Sequence, residues 1–129
     1  TNIASKFPRL KEGGIGYDPA FATDLATKLR DLAGFKIVEV LQNYAHLSEP
    51  SQIFEALVKT GRVWHGGHRV LRNHIENVTV KTDDAGRIRP VKPKAGKKRI
   101  DGVIASIMGL KQLATVPDLS GVPVGVFVV

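Results

Sequence analysis

The sequence contains no cysteine, one methionine and one tryptophan, and aromatic residues make up only 6 % of its 129 positions. The missing cysteines exclude disulfides, thiolate metal sites and cysteine nucleophiles together, and they fit a reducing cytosol. No unbroken apolar stretch approaches the roughly 20 residues that span a bilayer. No charged-then-apolar leader opens the chain, so neither a membrane partner nor a signal peptide is expected. Thr1-Asn2-Ile3 lacks an initiator methionine, which points to processing or to a fragment. A phosphate-binding P-loop and a nucleophile elbow are also missing. This chain is therefore not expected to hydrolyse ATP by itself or to use Ser/His/Asp chemistry.

What is present suits one domain spanning residues 1–129. The hydrophobic content of 43 % can fill a core, although a chain this long buries only about two-thirds of its unfolded surface. Acids are scarce, with 12 Asp and Glu against 19 Lys and Arg, a formal charge of +7. The imbalance is local. Lys81, Arg87, Arg89, Lys92, Lys94, Lys97, Lys98 and Arg99 share their window with only Asp83 and Asp84, so it holds +6 of that charge. Charge gathered this way argues for a polyanionic partner, nucleic acid before membrane; the plainer alternative is a solvated basic loop.

The pattern of apolar residues predicts an α/β chain. Ile15-Gly16-Tyr17 reads as a strand running into Asp18. Pro19 opens a helix carrying Ala22, Leu25, Ala26, Leu29, Leu32 and Ala33, and Gly34 stops it. Phe35 to Leu41 reads as a second strand with Ile37 and Val38 buried; strand, helix, strand favours a parallel pair. Ser48-Glu49-Pro50-Ser51 offers caps for a helix bearing Ile53, Phe54, Leu57 and Val58 and ended by Gly61. A short strand at Arg62–His65, a turn at Gly66-Gly67 and a shorter helix with Val70, Leu71 and Ile75 follow. Val78–Lys81 and Arg87–Arg89 flank Asp83-Asp84-Ala85-Gly86, a strong hairpin signal whose arms should carry Lys and Arg on a solvent face. Pro90 to Lys98 reads as loop. The last helix starts near Lys98 to Ile100 with a stripe of Ile100, Val103, Ile104, Ile107 and Leu110, and residues 115–129 read as an extended tail.

Two aspartates stand out by position. Asp18 follows a strand at the start of a helix, the usual ligand position in open α/β sheets; its structural alternative is an N-cap. Asp101 is the only acid between Gly86 and Val116 and directly follows Lys97-Lys98-Arg99; its structural alternative is helix-dipole stabilisation. A carboxylate beside a phosphate-seeking surface suits a nuclease using Mg²⁺ or Mn²⁺, because these ions take carboxylate oxygens and can clamp both oxygens of a phosphodiester displacement. His65, His68 and His74 do not fit zinc spacing. Gly66-Gly67 fits a tight turn that could also admit a phosphate.

An ordered set of segments resembles the nuclease domain, in its C-terminal part, of the large terminase subunit of tailed phages. The set runs IGYDPAFATDLATKL (15–29), FKIVEVLQ (35–42), LSEP (47–50), GRVWHGG (61–67), VLR (70–72), NVTVK (77–81), Asp84-Ala85-Gly86 and KRIDGVIA (98–105). The resemblance implies a ribonuclease H-like fold with a mixed sheet, flanking helices and a β-hairpin near the DNA. It implies metal-ligand roles for Asp18 and Asp101, with Mg²⁺ or Mn²⁺ as cofactor. It also implies a phage or prophage protein in the host cytoplasm that packages and cuts concatemeric DNA. The partners implied are double-stranded DNA, an upstream ATPase domain, a small terminase subunit and a portal. The family also places another metal-ligand aspartate on earlier strands, whereas the 14 residues before Ile15 contain none. A fragment or an incomplete site is then expected, with an open sheet edge inviting self-association or pairing with the tail. The competing class is a DNA-binding or assembly module in which the aspartates are structural.

Overall fold

The computed structural model describes residues 13–115 and the backbone of residues 126–127. Strands β1 (Ile15–Tyr17) and β2 (Ile37–Glu39) pair in parallel, with Ile15 opposite Ile37 and Tyr17 opposite Glu39. Helix α1 (Thr23–Ala33) makes the crossover between them, so the βαβ unit stands as the sequence predicts. Gly34 ends α1 in the left-handed conformation, φ 67°, and its N–H bonds back to Arg30.

The start of α1 differs from expectation. Pro19 does not open it; Pro19–Phe21 form a turn and the helix begins at Thr23. The Asp18 carbonyl accepts the N–H groups of Phe21 and Ala22 at 3.2 and 3.1 Å, which closes that turn before helical bonding begins. The expected apolar stripe is also largely uncovered. Ala26 is buried, but Leu25 and Leu32 face solvent, together with Phe21 at 92 % exposure. A three-residue strand offers too narrow a surface to cover three turns of helix.

Helix α2 (Tyr44–Lys59) begins four residues before the expected caps. Asn43 is the N-cap, its side-chain oxygen accepting from the His46 N–H at 3.0 Å, which satisfies one of the orphan donors of the first turn. Pro50 therefore lies inside the helix, buried, where its missing N–H leaves the His46 carbonyl without the usual i+4 donor. Ser48 is not a cap. Its hydroxyl accepts the N–H of Ile88 at 3.0 Å, far along the chain. Leu47, Phe54 and Leu57 are buried, while Ile53 and Val58 lie on the rim.

Strand β3 (Val63–Trp64) follows, and then helix α3 (Arg69–Asn77), in which Leu71 is buried and Val70 exposed. Strands β4 (Thr79–Thr82) and β5 (Ile88–Val91) form the expected hairpin, with Lys81 opposite Arg89. β5 extends through Pro90, expected to be loop. Pairing is closed at Asp83–Arg87, and alternation from there puts Pro90 at a position that needs no ladder N–H. Helix α4 (Asp101–Leu113) starts just after the expected Lys98 to Ile100, with Ile100 at its N-cap. β6 (Val126–Phe127) pairs in parallel with β3, Val63 opposite Val126.

Among the described residues the strands pair as three two-stranded ladders, and α4 is the helix that most of the packing centres on. It packs against α2, α3 and β1, while α2 also packs against β5. The core comprises Val40 just beyond β2, Leu47, Phe54 and Leu57 from α2, and Val103, Ile107, Met108 and Leu110 from α4. Residues 1–12 and, apart from Thr115 and β6, the expected extended tail lie outside the described residues.

Candidate functional site

Asp18 stands at the end of β1, half-buried. Its Oδ1 accepts the Ala20 N–H at 2.9 Å, so it closes the Pro19–Phe21 turn. It is not the N-cap of α1, a position held by Ala22 without any side-chain bond. Asp101 is the first residue of α4 and is exposed. Among the described residues nothing bonds to its carboxylate.

Two contacts set the direction of β1 and β2 along α4. Gly16 of β1 lies against Val40 and Gln112; a Cβ there would come within 3.3 Å of the Gln112 side chain, near the end of α4. Gln42, beyond β2, reaches one turn back along α4, its Nε2 donating to the Met108 sulfur at 3.6 Å. Because β1 and β2 are parallel, both strands run antiparallel to α4, and their C-terminal ends point toward the helix end that begins with Asp101. Asp18, two residues beyond Gly16, therefore leaves β1 in the direction of the α4 start, where Asp101 stands. Immediately before Asp18, the Tyr17 hydroxyl donates to Glu39 Oε1 at 3.0 Å. Partial burial and the Glu39 carboxylate both push the Tyr17 phenol above its ordinary value.

The basic window divides into three parts. Lys81, on β4, is exposed, as are Lys92, Lys94, Lys97, Lys98 and Arg99 between β5 and α4. Arg87 is exposed but paired: its Nε and Nη2 donate to Asp83 Oδ2 at 2.8 and 2.7 Å. Burial alone would raise the Asp83 carboxyl. The Arg87 N–H and guanidinium, with the Ala85 N–H, outweigh it and hold the group below the usual aspartate value. Arg89 departs from the expected solvent face. Its guanidinium lies 5.1 Å from the centre of the Tyr44 ring, its Nη1 donates to the Gln42 carbonyl at 3.4 Å, and its Nε is buried without a partner among the described residues. The hairpin is thus attached to the stretch that leaves β2 and enters α2.

The histidines do not assemble. His68 Nδ1 accepts from the Leu71 N–H at 3.3 Å as the N-cap of α3, His74 Nδ1 accepts from the Gly102 N–H at 2.9 Å, and His65 Nδ1 is buried without a bond among the described residues. No three His, Asp or Glu side chains gather among the described residues. Asp18 and Asp101 are both oxygen donors, the ligand type that Mg²⁺ takes, commonly from one or two carboxylates while it keeps several waters. The sequence reading missed Gln42, Tyr44 and Asn77 and gave Ser48 a capping role; all four bind distant backbone or side chains. Only Asn43, three residues before His46, had a capping pattern that could have placed α2 correctly.

Among the described residues no helix is long and apolar enough to cross a membrane. Residues 4–116 match the family described as terminase large subunit, endonuclease domain. The chain is 37 % identical over 111 residues to Protein YmfN of Escherichia coli (strain K12), covering 83 % of this chain and 23 % of that protein. It is also similar to the crystal structure of the HK97 bacteriophage large terminase, with a TM-score of 0.64 and 31 % identity over 74 % of this chain and 20 % of that one. The chain thus spans less than a quarter of each relative. The expected α/β, ribonuclease H-like class stands on that likeness, and with most of its length matched, this chain belongs to the terminase large-subunit endonuclease-domain family.

Proposed function

We propose that the chain supplies two metal-binding carboxylates, Asp18 and Asp101, to an endonuclease that cuts concatemeric phage DNA during packaging. The observation that supports this most is the antiparallel run of β1 and β2 along α4, which directs Asp18 toward the helix end where Asp101 sits. Both are hard oxygen donors, the type that Mg²⁺ and Mn²⁺ prefer. When bound, such ions supply an activated water and stabilise the leaving oxygen of a phosphodiester. Asp18 would give the oxygen that its turn leaves unused, and Asp101 its free carboxylate. Lys97, Lys98 and Arg99, just before α4, would draw the DNA backbone to those carboxylates. Lys81, Lys92 and Lys94 would extend the phosphate track along the hairpin side. The parent assembly would bring an ATPase domain, a small terminase subunit and a portal to the same duplex.

The competing reading, a DNA-binding or assembly module, rests on the Ala20 bond, which gives Asp18 a structural task. A Mn²⁺ titration of the isotope-labelled chain separates the two. The expected result is paramagnetic broadening of Asp18 and Asp101 together, lost in both Asp18→Asn and Asp101→Asn. Broadening at neither aspartate, or at each independently of the other, overturns the nuclease reading.

A further inference from the structure

Helix α4 begins without a cap of its own. Its N-cap residue is Ile100, which offers no side-chain acceptor, so the first N–H groups of the helix need partners from elsewhere. One partner comes from α3. His74 Nδ1 accepts the Gly102 N–H at 2.9 Å, which places the imidazole proton on Nε2. One turn further along the same face of α3, Asn77 is buried. Its Nδ2 donates to the Arg99 carbonyl at 3.2 Å and to Asn73 Oδ1 at 3.0 Å.

These two bonds bracket a short piece of chain. Between the Arg99 carbonyl and the Gly102 N–H lie only Ile100, which is buried, and Asp101, which is exposed. The approach of the two helices is also close. A Cβ at Gly102 would stand 3.0 Å from His74 Nδ1 and 3.2 Å from Leu71 Cδ1, so glycine is what lets α3 come within reach. Asp101 is thereby fixed at its backbone on both sides, while its carboxylate has no partner among the described residues.

We propose that His74 and Asn77 are positioning residues: α3 clamps residues 99–102 so that the Asp101 carboxylate is held ready for its cation. The inference rests on Asp101 being a metal ligand. Neither side chain touches the cation; each acts through the backbone of the segment that carries Asp101. A ligand held in place by such supports loses on the order of ten- to a hundredfold in metal affinity when they are removed.

The test uses the 129-residue chain and two readouts, Mn²⁺ affinity from paramagnetic broadening and hydrogen exchange at the Gly102 amide. His74→Leu keeps apolar packing without an acceptor, and His74→Asn restores an acceptor at a similar distance from the backbone. The expected result is about tenfold weaker Mn²⁺ binding in His74→Leu and Asn77→Ala, faster Gly102 exchange in His74→Leu, and near wild-type behaviour in His74→Asn. Wild-type affinity in folded His74→Leu and Asn77→Ala, with binding lost in Asp101→Asn, overturns the clamp alone. His74→Asn as weak as His74→Leu also overturns it, because the acceptor would then not matter. Unchanged binding in Asp101→Asn overturns the ligand assignment beneath it. If His74→Leu does not fold, Asn77→Ala decides by the same comparison.

Discussion

The guanidinium of Arg89 sits over the ring of Tyr44, 5.1 Å from its centre, and the same arginine reaches the Gln42 carbonyl. This joins the hairpin to the segment between β2 and α2, beside the Ile88 N–H that Ser48 accepts. A cation over an aromatic face contributes about 0.5–1 kcal/mol at an exposed site. Tyr44→Leu should therefore speed hydrogen exchange at Ile88 severalfold while leaving α4 amides unchanged. Equal exchange in variant and wild type would show that the hairpin is held by other contacts.

The hairpin turn should loosen in acid. Asp83 Oδ1 accepts the Ala85 and Arg87 N–H groups at 3.1 and 2.8 Å, and Oδ2 takes the Arg87 guanidinium. Its carboxyl is held below the ordinary value, so the folded turn favours the charged form. The resulting stability is fully present above the unfolded value of about 3.9 and is lost as pH falls through the lower, folded one. Chemical shifts of Val80 and Ile88 should follow that loss, and Asp83→Asn should weaken the turn at neutral pH and remove the acid transition. A transition that persists in Asp83→Asn would place its source elsewhere.

Duplex binding should be electrostatic and indifferent to sequence. Lys94, Lys97 and Lys98 are exposed in the loop before α4, and each phosphate neutralised contributes about 0.9 to the slope of log affinity against log salt. Replacing the three by alanine should flatten that slope by up to about 3 and weaken binding at low salt. An unchanged slope would leave this stretch as a solvated loop.

Cleavage by the chain alone should be feeble. Asp18 and Asp101 offer two carboxylates, and the 14 residues before Ile15 add no aspartate. A two-ion displacement needs ligands for both ions, and Mg²⁺ sheds water reluctantly. Supercoiled plasmid with Mn²⁺ or Mg²⁺ should thus stay largely intact, whereas a longer protein with an upstream aspartate should cut it, and lose that activity in Asp101→Ala. Robust cutting by this chain would show that a third carboxylate is dispensable.

The elements were legible where local chemistry was decisive. Gly34 and Gly61 marked helix ends, Asp83 to Gly86 marked the hairpin, and the spacing of Ile100, Val103, Ile107 and Leu110 marked the buried face of α4. Errors arose where a distant partner set the outcome. Ser48 and Pro50 resembled a helix start, but Asn43 caps the helix earlier and Ser48 serves the hairpin. Leu25 and Leu32 have helical spacing, yet spacing cannot say whether a neighbour exists to cover them. Asp18 and Asp101 were visible as candidates through their positions. The bonds of His74 and Asn77 to residues 99–102 were not, because no local pattern encodes a contact 22 or 28 residues away.

The pairing of β3 with β6 has a consequence for the order of folding. Val63 meets Val126 only after α3, the hairpin and α4 have all been synthesised. During translation β3 must wait with an open edge while the elements between it and its partner are completed. Pairing across such a sequence separation comes later than local helix and hairpin contacts, because its closure entropy is offset only once the intervening elements are in place. Trp64, next in the strand, should therefore report one of the last events of folding, and its fluorescence would follow the maturation of the nascent chain.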